Sequence, residues 1–334
     1  MEAGFEGERE GNMAVKVDSS NEVVMLGRGR VNKWSANKLF KYICAACCIL
    51  VLVLMAGLIV ELIANSTLSV RKLGLGFLIS DEWDPVMGKF GALSSIYGTL
   101  VSTLIALIIA VPMSIVIALF LVELAPKGLS SFFGTSIELL AAIPSIIYGM
   151  WGLFVFGPFV ADHVGPFLHR YLGFLPIFQG TPMPVGMLTA GVILALMVLP
   201  FTSSVMRDVL LMVPSVLKES AYGLGATTWE VTKDVSIRYG IRGIIGAVFL
   251  GLGRAIGETM AVTFVIGNEH KISASLFAPA NSIASTLANE FTEADTPLYL
   301  SALVELGLIL FLITAIFQVV AQTFLKYVAR GSRP

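Results

Sequence analysis

The sequence predicts an all-α integral membrane protein with six transmembrane helices and both termini in the cytoplasm. Three observations carry that prediction. Of 334 residues, 56% are hydrophobic and only 13% are charged, against about 25% charged in a soluble domain. The charge-poor residues are gathered into runs long enough to cross a bilayer, which takes about 20 apolar residues as a helix. Lys and Arg are divided unequally between the loops that separate those runs.

Residues 1–37 are polar, Gly-rich and mixed in charge, and read as a disordered cytoplasmic tail ahead of a membrane domain over 38–334. The first apolar core comes too late and is too long for a cleavable signal peptide. Five runs contain no Asp, Glu, Lys or Arg: Tyr42–Val60, Phe90–Val122, Leu139–Ala161, Tyr171–Met206 and Leu306–Leu325. A sixth, about Ile244–Ile266, is interrupted only by Arg254 and Glu258. The expected spans are therefore 42–63, 93–122, 136–160, 184–206, 243–267 and 299–325. With both ends inside, segments 1–41, 124–130, 207–242 and 326–334 hold 16 of the 22 Lys and Arg. The outer loops hold Arg71, Lys72, Lys89, Arg170 and Lys271, and Arg254 lies in the membrane. That is the cytoplasmic excess the positive-inside rule requires. The outer loops 65–89 and 268–297 lean acidic.

Composition excludes several classes. The net charge of −1 gives no sign of nucleic-acid binding. Cys44, Cys47 and Cys48 sit in an apolar run without further ligands nearby, so they read as small apolar residues rather than a metal or redox site. His163, His169 and His270 are too scattered for a metal centre. There is no G-x-x-x-x-G-K-[ST] loop, so the chain does not hydrolyse ATP by that route.

Arg254 and Glu258 carry the strongest chemical signal. An ionised side chain at mid-membrane costs at least about 2.5–3.5 kcal/mol and normally faces a bundle interior or a water-filled path. Four residues apart on one helix, the two can touch. An arginine offers five fixed donors matched to an oxyanion. The reading is a path residue, Arg254, with Glu258 as its resting partner; the bland alternative is a permanent ion pair between helices. Glu138 is either a partner for Arg254 or a residue at a helix end. Pro144-Ser145 either breaks a helix and aims backbone N–H groups at an anion or is a simple kink. Ser94, Ser95, Thr99, Thr202, Ser203 and Ser204 could line a polar path or merely satisfy backbone groups. Glu305, just inside the last span, reads as interfacial.

Segment 207–242 is amphipathic and too long for a connector. Leu210, Leu211, Val213, Val216 and Leu217 line one short helix. The turn ESAYGLGAT follows, with Gly223 and Gly225 permitting a sharp reversal. A second short helix carries Trp229, Val231, Val235 and Ile237. It has the form of a knob that docks into a cytosolic partner.

Glu219-Ser220-Ala221, then Gly225, then Val235-x-Ile237 resembles the EAA loop of ABC importer permeases, whose pattern is E-A-A, three residues, G, nine residues, I-x-L-P. The chain departs from it at Ser220 and at Arg238. The stretches at 98–126, 138–158, 199–214 and 251–268, with GRAIGETMAV (253–262) the most specific, resemble the permease pair of phosphate-specific ABC importers. Tyr148-Gly-Met-Trp-Gly-Leu-Phe is similar to the first member, the PstC type, rather than to its PstA sister. The resemblance implies an ABC type I importer permease fold. It implies that Glu219, Ser220, Ala221, Gly225 and Trp229 couple the chain to an ATPase. The residue-level path candidates remain Arg254, Glu258, Glu138 and Ser145; the resemblance implies no cofactor in this chain, and ATP bound by a partner subunit. The partners it implies are a PstA-type permease, two copies of an ATP-binding subunit and an external phosphate-binding protein, in a bacterial plasma membrane. A permease for sulfate, molybdate or phosphonate, and an ATP-independent anion carrier, remain as alternatives.

Overall fold

The structure, a computed structural model, describes residues 16–17, 23–24 and 33–331. Most of the expected tail, and with it the disorder expected there, lies outside the described residues. Within it, β1 (Lys16–Val17) pairs antiparallel with β2 (Val23–Val24). Every other named element among the described residues is helical.

The chain divides into two compact units, Met1–Leu58 and Ile59–Pro334. The first holds the strand pair and the start of α1 (Lys33–Leu73). Residues 37–58 of that helix are all exposed although almost entirely apolar. A helix apolar on every side is a lipid-facing span. At 1.5 Å per residue it is about 60 Å long, roughly twice the hydrocarbon core.

In the second unit α2 (Gly76–Ile79) precedes α3 (Leu93–Leu119), which ends in a π-turn at Phe120–Leu124. Next comes α4 (Lys127–Ala141). Then α5 (Ser145–Trp151), α6 (Gly157–Phe159) and α7 (Gly165–Leu172) join through π-turns into one helix. α8 (Met187–Leu211) is followed by α9 (Ser215–Gly223). α10 (Thr228–Glu230) runs through the π-helical Val231–Ile237 into α11 (Arg238–Ile256). α12 (Met260–Val265), α13 (Ile283–Glu290) and α14 (Pro297–Gly331) complete the chain. Among the described residues six helices are long and apolar enough to cross a membrane: Asn37–Leu73, Leu93–Leu124, Ser145–Leu172, Met187–Leu211, Thr228–Ile256 and Pro297–Tyr327.

Three of these differ from the expected spans, the first by running on to Leu73. The helix expected over 136–160 is broken between α4 and α5. Pro144 (φ −56°, ψ 134°) has extended backbone and no N–H to continue a helix, so the third span starts at Ser145. The helix expected over 243–267 starts far earlier, at Thr228, and stops at Ile256. The second half of segment 207–242 is thus helical and continuous with the fifth span.

The core is built on small residues. Ala106 and Ala110 of α3 pack against Ala190, Ile193, Leu194 and Met197 of α8, and Ala261, Val262 and Val265 of α12 close the cluster. Small side chains let helix backbones approach where no hydrophobic effect drives them together. Several buried hydroxyls bond their own helix: Thr99 Oγ1 donates to the Ser95 carbonyl (2.7 Å), Thr202 to Val198 (3.0 Å) and Ser203 to Leu199 (2.7 Å). Others join separate segments, as Ser114 and Thr202 do (2.6 Å) and as Ser95 and Asn281 do (2.7 Å). Gly98 lies directly against the Asn281 carbonyl, and a Cβ there would overlap it. Gly98→Val is expected to prevent stable insertion of the 281–286 segment, read as loss of detergent-solubilised monodisperse protein in gel filtration.

A second cluster, Phe77, Phe90, Ile283, Tyr299, Leu303 and Leu306, seats α13 between the 80–90 segment and α14. Its polar centre is Glu290, which accepts from Trp83 Nε1 (2.5 Å), Tyr299 OH (2.7 Å) and His270 Nε2 (2.7 Å). Trp83 stacks on the His270 ring at 5.0 Å. Burial raises the Glu290 pKa, but the bonds from His270, Tyr299 and Trp83 outweigh it, and the net shift is downward. A carboxyl held low when folded stabilises at pH above its unfolded value, and that stability is lost as pH falls through the folded value. This cap is therefore expected to loosen below the ordinary carboxylate range. The measurement is a Trp83-dependent fluorescence change on acidification, absent in Glu290→Gln.

Glu305 is buried within α14, beside Ser69 of α1.

Candidate functional site

Arg254 lies in the last turn of α11. The helix ends two residues later, at Ile256, capped by Gly257 (φ −87°, ψ 2°), a poor helix former. Glu258 therefore falls in a break and not on the helical face of Arg254. Its carboxylate accepts the Ala261 N–H (3.2 Å), satisfying one of the donors left free where α12 begins. The expected Arg254–Glu258 pair does not form. The guanidinium instead lies over the Phe201 ring of α8, with Cζ 5.4 Å from the centroid. Its Nε is buried without a hydrogen-bond partner, and among the described residues Arg254 makes no salt bridge. An aromatic face orients a guanidinium without neutralising it. The result is a half-buried cation at membrane depth with donors to offer. Irregular backbone at that depth is tolerated only where protein or a water-filled cavity surrounds it, which suits the break at 257–259.

Glu138 is likewise not Arg254's partner. It lies in the last turn of α4 and accepts from Arg207 Nη1 of α8 (3.1 Å). Gly134, one turn earlier, leaves room for that guanidinium, since a Cβ there would sit 2.5 Å from Arg207 Cζ. Glu138 thus fastens α4 to the cytoplasmic end of α8. Ser145 opens α5 after the Pro144 break, and no hydrogen bond joins it to Arg254. Tyr148, one turn on, bridges the break by donating to the Leu140 carbonyl (3.0 Å), and it lies within electrostatic reach of Arg254. α5 meets α12 closely: Gly149 packs on Ala261 and Phe264.

The predicted knob is well formed. Glu219, Ser220 and Ala221 lie on α9, with Glu219 and Ser220 exposed. Gly225 adopts φ +90°, a conformation reserved for glycine, and its N–H bonds to the Tyr222 carbonyl (2.9 Å). Thr227 and Glu230 then form a reciprocal capping box that starts the next helix, a two-way satisfaction of free N–H groups. Leu224 and Trp229 stand out at 91% and 67% exposure. Large apolar side chains held in a fixed turn outside the bilayer mark a surface built for a protein partner.

No sequence signal points to the roles of Phe201 and Arg207 or to the Lys218–Glu123 pair (2.7 Å). Each lies far in sequence from its partner, so no local spacing signals it.

Six apolar helices, a cytoplasmic knob of EAA type and an unpaired intramembrane arginine define the membrane-spanning subunit of an ABC transporter. A bacterial alginate ABC importer structure has the same fold, with TM-score 0.58 at 14% identity, covering 87% of this chain and 98% of that one. No family model matches the chain. It is 55% identical over 284 residues to the phosphate transport system permease protein PstC of Mesorhizobium japonicum, covering 84% of this chain and 87% of the relative. It is 51% identical to the PstC of Haemophilus influenzae, covering 87% and 93%. The chain belongs to the PstC family of permease proteins, multi-pass proteins of the inner membrane that act with a partner permease and ATPase subunits.

Proposed function

We propose that this chain lines half of the path by which inorganic phosphate enters the cell. The other half belongs to a PstA-type permease. Two ATP-binding subunits bind all the ATP, and an external binding protein delivers phosphate. This chain carries no cofactor and catalyses no reaction of its own. Closure of the ATPase dimer moves the knob formed by Glu219, Ser220, Ala221, Gly225 and Trp229, and the helices respond by alternating access.

The observation that carries the reading is Arg254. Phosphate at neutral pH bears one to two negative charges and needs compensation inside the bilayer. A guanidinium held over Phe201, with no salt-bridged carboxylate among the described residues, supplies that compensation, and it matches two phosphate oxygens at once. Ser145 and Glu138 belong to the α4–α5 break on the same inner half, and Glu258 holds the α11–α12 break open. The relatives' names support phosphate over other oxyanions. The test is uptake by proteoliposomes holding the complete complex. Phosphate uptake that needs internal ATP supports the reading; uptake of sulfate in its place, or uptake without ATP, overturns it.

A further inference from the structure

We infer that the Lys218–Glu123 ion pair, with α3 behind it, is the strut that carries movement of the knob to the outer face. The inference rests on the ABC permease reading. Lys218 immediately precedes Glu219 on α9, yet points away from the docking surface. Its Nζ lies 2.7 Å from Glu123 Oε1, with the two side chains 18% and 6% exposed. The Ser220 hydroxyl, by contrast, bonds back within α9, to the Val216 carbonyl. Glu123 sits in the π-turn at Phe120–Leu124 that ends the second span. π-turns within helices are frequent at functional positions.

From that turn α3 runs back to Leu93 as one helix, with Pro112 inside it, about 40 Å at 1.5 Å per residue. Its outer end is fixed to the cap. Thr99 Oγ1 accepts the Ile283 N–H (2.9 Å), Ser95 Oγ accepts from Asn281 Nδ2 (2.7 Å), and Gly98 touches the Asn281 carbonyl. Asn281 and Ile283 lead into α13, the helix that Glu290 pins to Trp83, His270 and Tyr299. One helix, continuous across Pro112, thus joins a buried charge pair under the knob to a hydrogen-bonded seam under the outer cap. A buried pair holds its two helices at fixed separation because parting them leaves each charge desolvated and uncompensated. Lys218 and Glu123 are positioning residues that touch neither ATP nor phosphate.

The test is phosphate taken up per ATP hydrolysed in proteoliposomes of the full complex with its binding protein. A single neutralisation strands one buried charge and risks misfolding, so the informative variants are Glu123→Gln with Lys218→Met together, and the exchange Glu123→Lys with Lys218→Glu. Replacing both partners of a buried pair usually preserves stability, so the double-neutral complex is expected to assemble and hydrolyse ATP within about twofold of wild type. Its uptake per ATP is expected to fall about tenfold, and the exchanged pair to recover to within about threefold, as coupled charge pairs do in double-mutant cycles. An unchanged uptake per ATP in the double-neutral complex overturns the strut. So does a parallel loss of uptake and hydrolysis in both variants, which is the signature of a merely structural pair. If wild type carries sulfate and not phosphate, the substrate reading fails alone, and the same ratio read with sulfate still decides the strut.

Discussion

Arg254→Gln is expected to reduce phosphate uptake by the reconstituted complex about 100-fold or more, with assembly intact. A hydrogen bond to a charged group contributes about 1.5–3 kcal/mol, and a bidentate guanidinium–phosphate contact makes two. Losing both costs about 3–6 kcal/mol, with each 1.4 kcal/mol a factor of ten. The fold should survive because Arg254 makes no salt bridge among the described residues, and its contact with Phe201 contributes only about 0.5–2 kcal/mol. Glutamine also relieves the desolvation of a buried Nε that lacks a partner. Arg254→Lys separates charge from geometry. A lysine keeps the cation but loses the planar fork and the stacking, so its uptake should lie between the two. Wild-type uptake in an assembled Arg254→Gln complex would remove the residue from the path. Loss of assembly, seen by gel filtration, would mean that the guanidinium holds helices together.

The interior of that site was only half legible in the sequence. Arg254 was found because a charge inside an apolar run is conspicuous at any spacing. Its environment was misread because the i, i+4 rule assumes a continuous helix, and Gly257 ends the helix before Glu258 is reached. The same limit applies at Pro144. An apolar run is one-dimensional, and Leu139–Ala161 looks identical whether it crosses the bilayer as one helix or, as here, as the end of α4, a break and the start of α5. For Glu138 the sequence left two readings open, and the structure has it at a helix end, where it pairs with Arg207 and not Arg254. The six spans and the knob were legible for the opposite reason, being fixed by local quantities. Run length gives the spans, and residue type gives the turn, since a φ of +90° at position 225 demands the glycine found there. The contacts that were invisible, Phe201 under Arg254 and Glu123 under Lys218, join residues 53 and 95 positions apart, and only packing brings them together.

The second large effect is expected at the knob. Glu219→Lys should abolish co-purification of the ATPase subunits while this chain remains folded in the membrane. Glu219 is exposed and makes no ion pair among the described residues, so its reversal costs the isolated chain little. At an interface, by contrast, placing like charges together costs several kcal/mol, about 100-fold or more in affinity. Gly225→Val tests the shape of the same surface instead of its charge. Forcing a β-branched residue to φ +90° costs about 1–3 kcal/mol, and the turn escapes that strain by re-forming, which moves Leu224 and Trp229 off the geometry that α9 and the Thr227–Glu230 capping box now hold. Trp229→Ala removes the largest exposed apolar anchor without touching the backbone, and tryptophans of this kind dominate interface energies. If all three variants lose the ATPase but keep the monomeric chain stable, the 219–229 surface is the docking site. If Glu219→Lys and Trp229→Ala retain the ATPase at wild-type stoichiometry, docking lies elsewhere on the cytoplasmic face. The strut through Lys218 would then begin from a helix that receives no push.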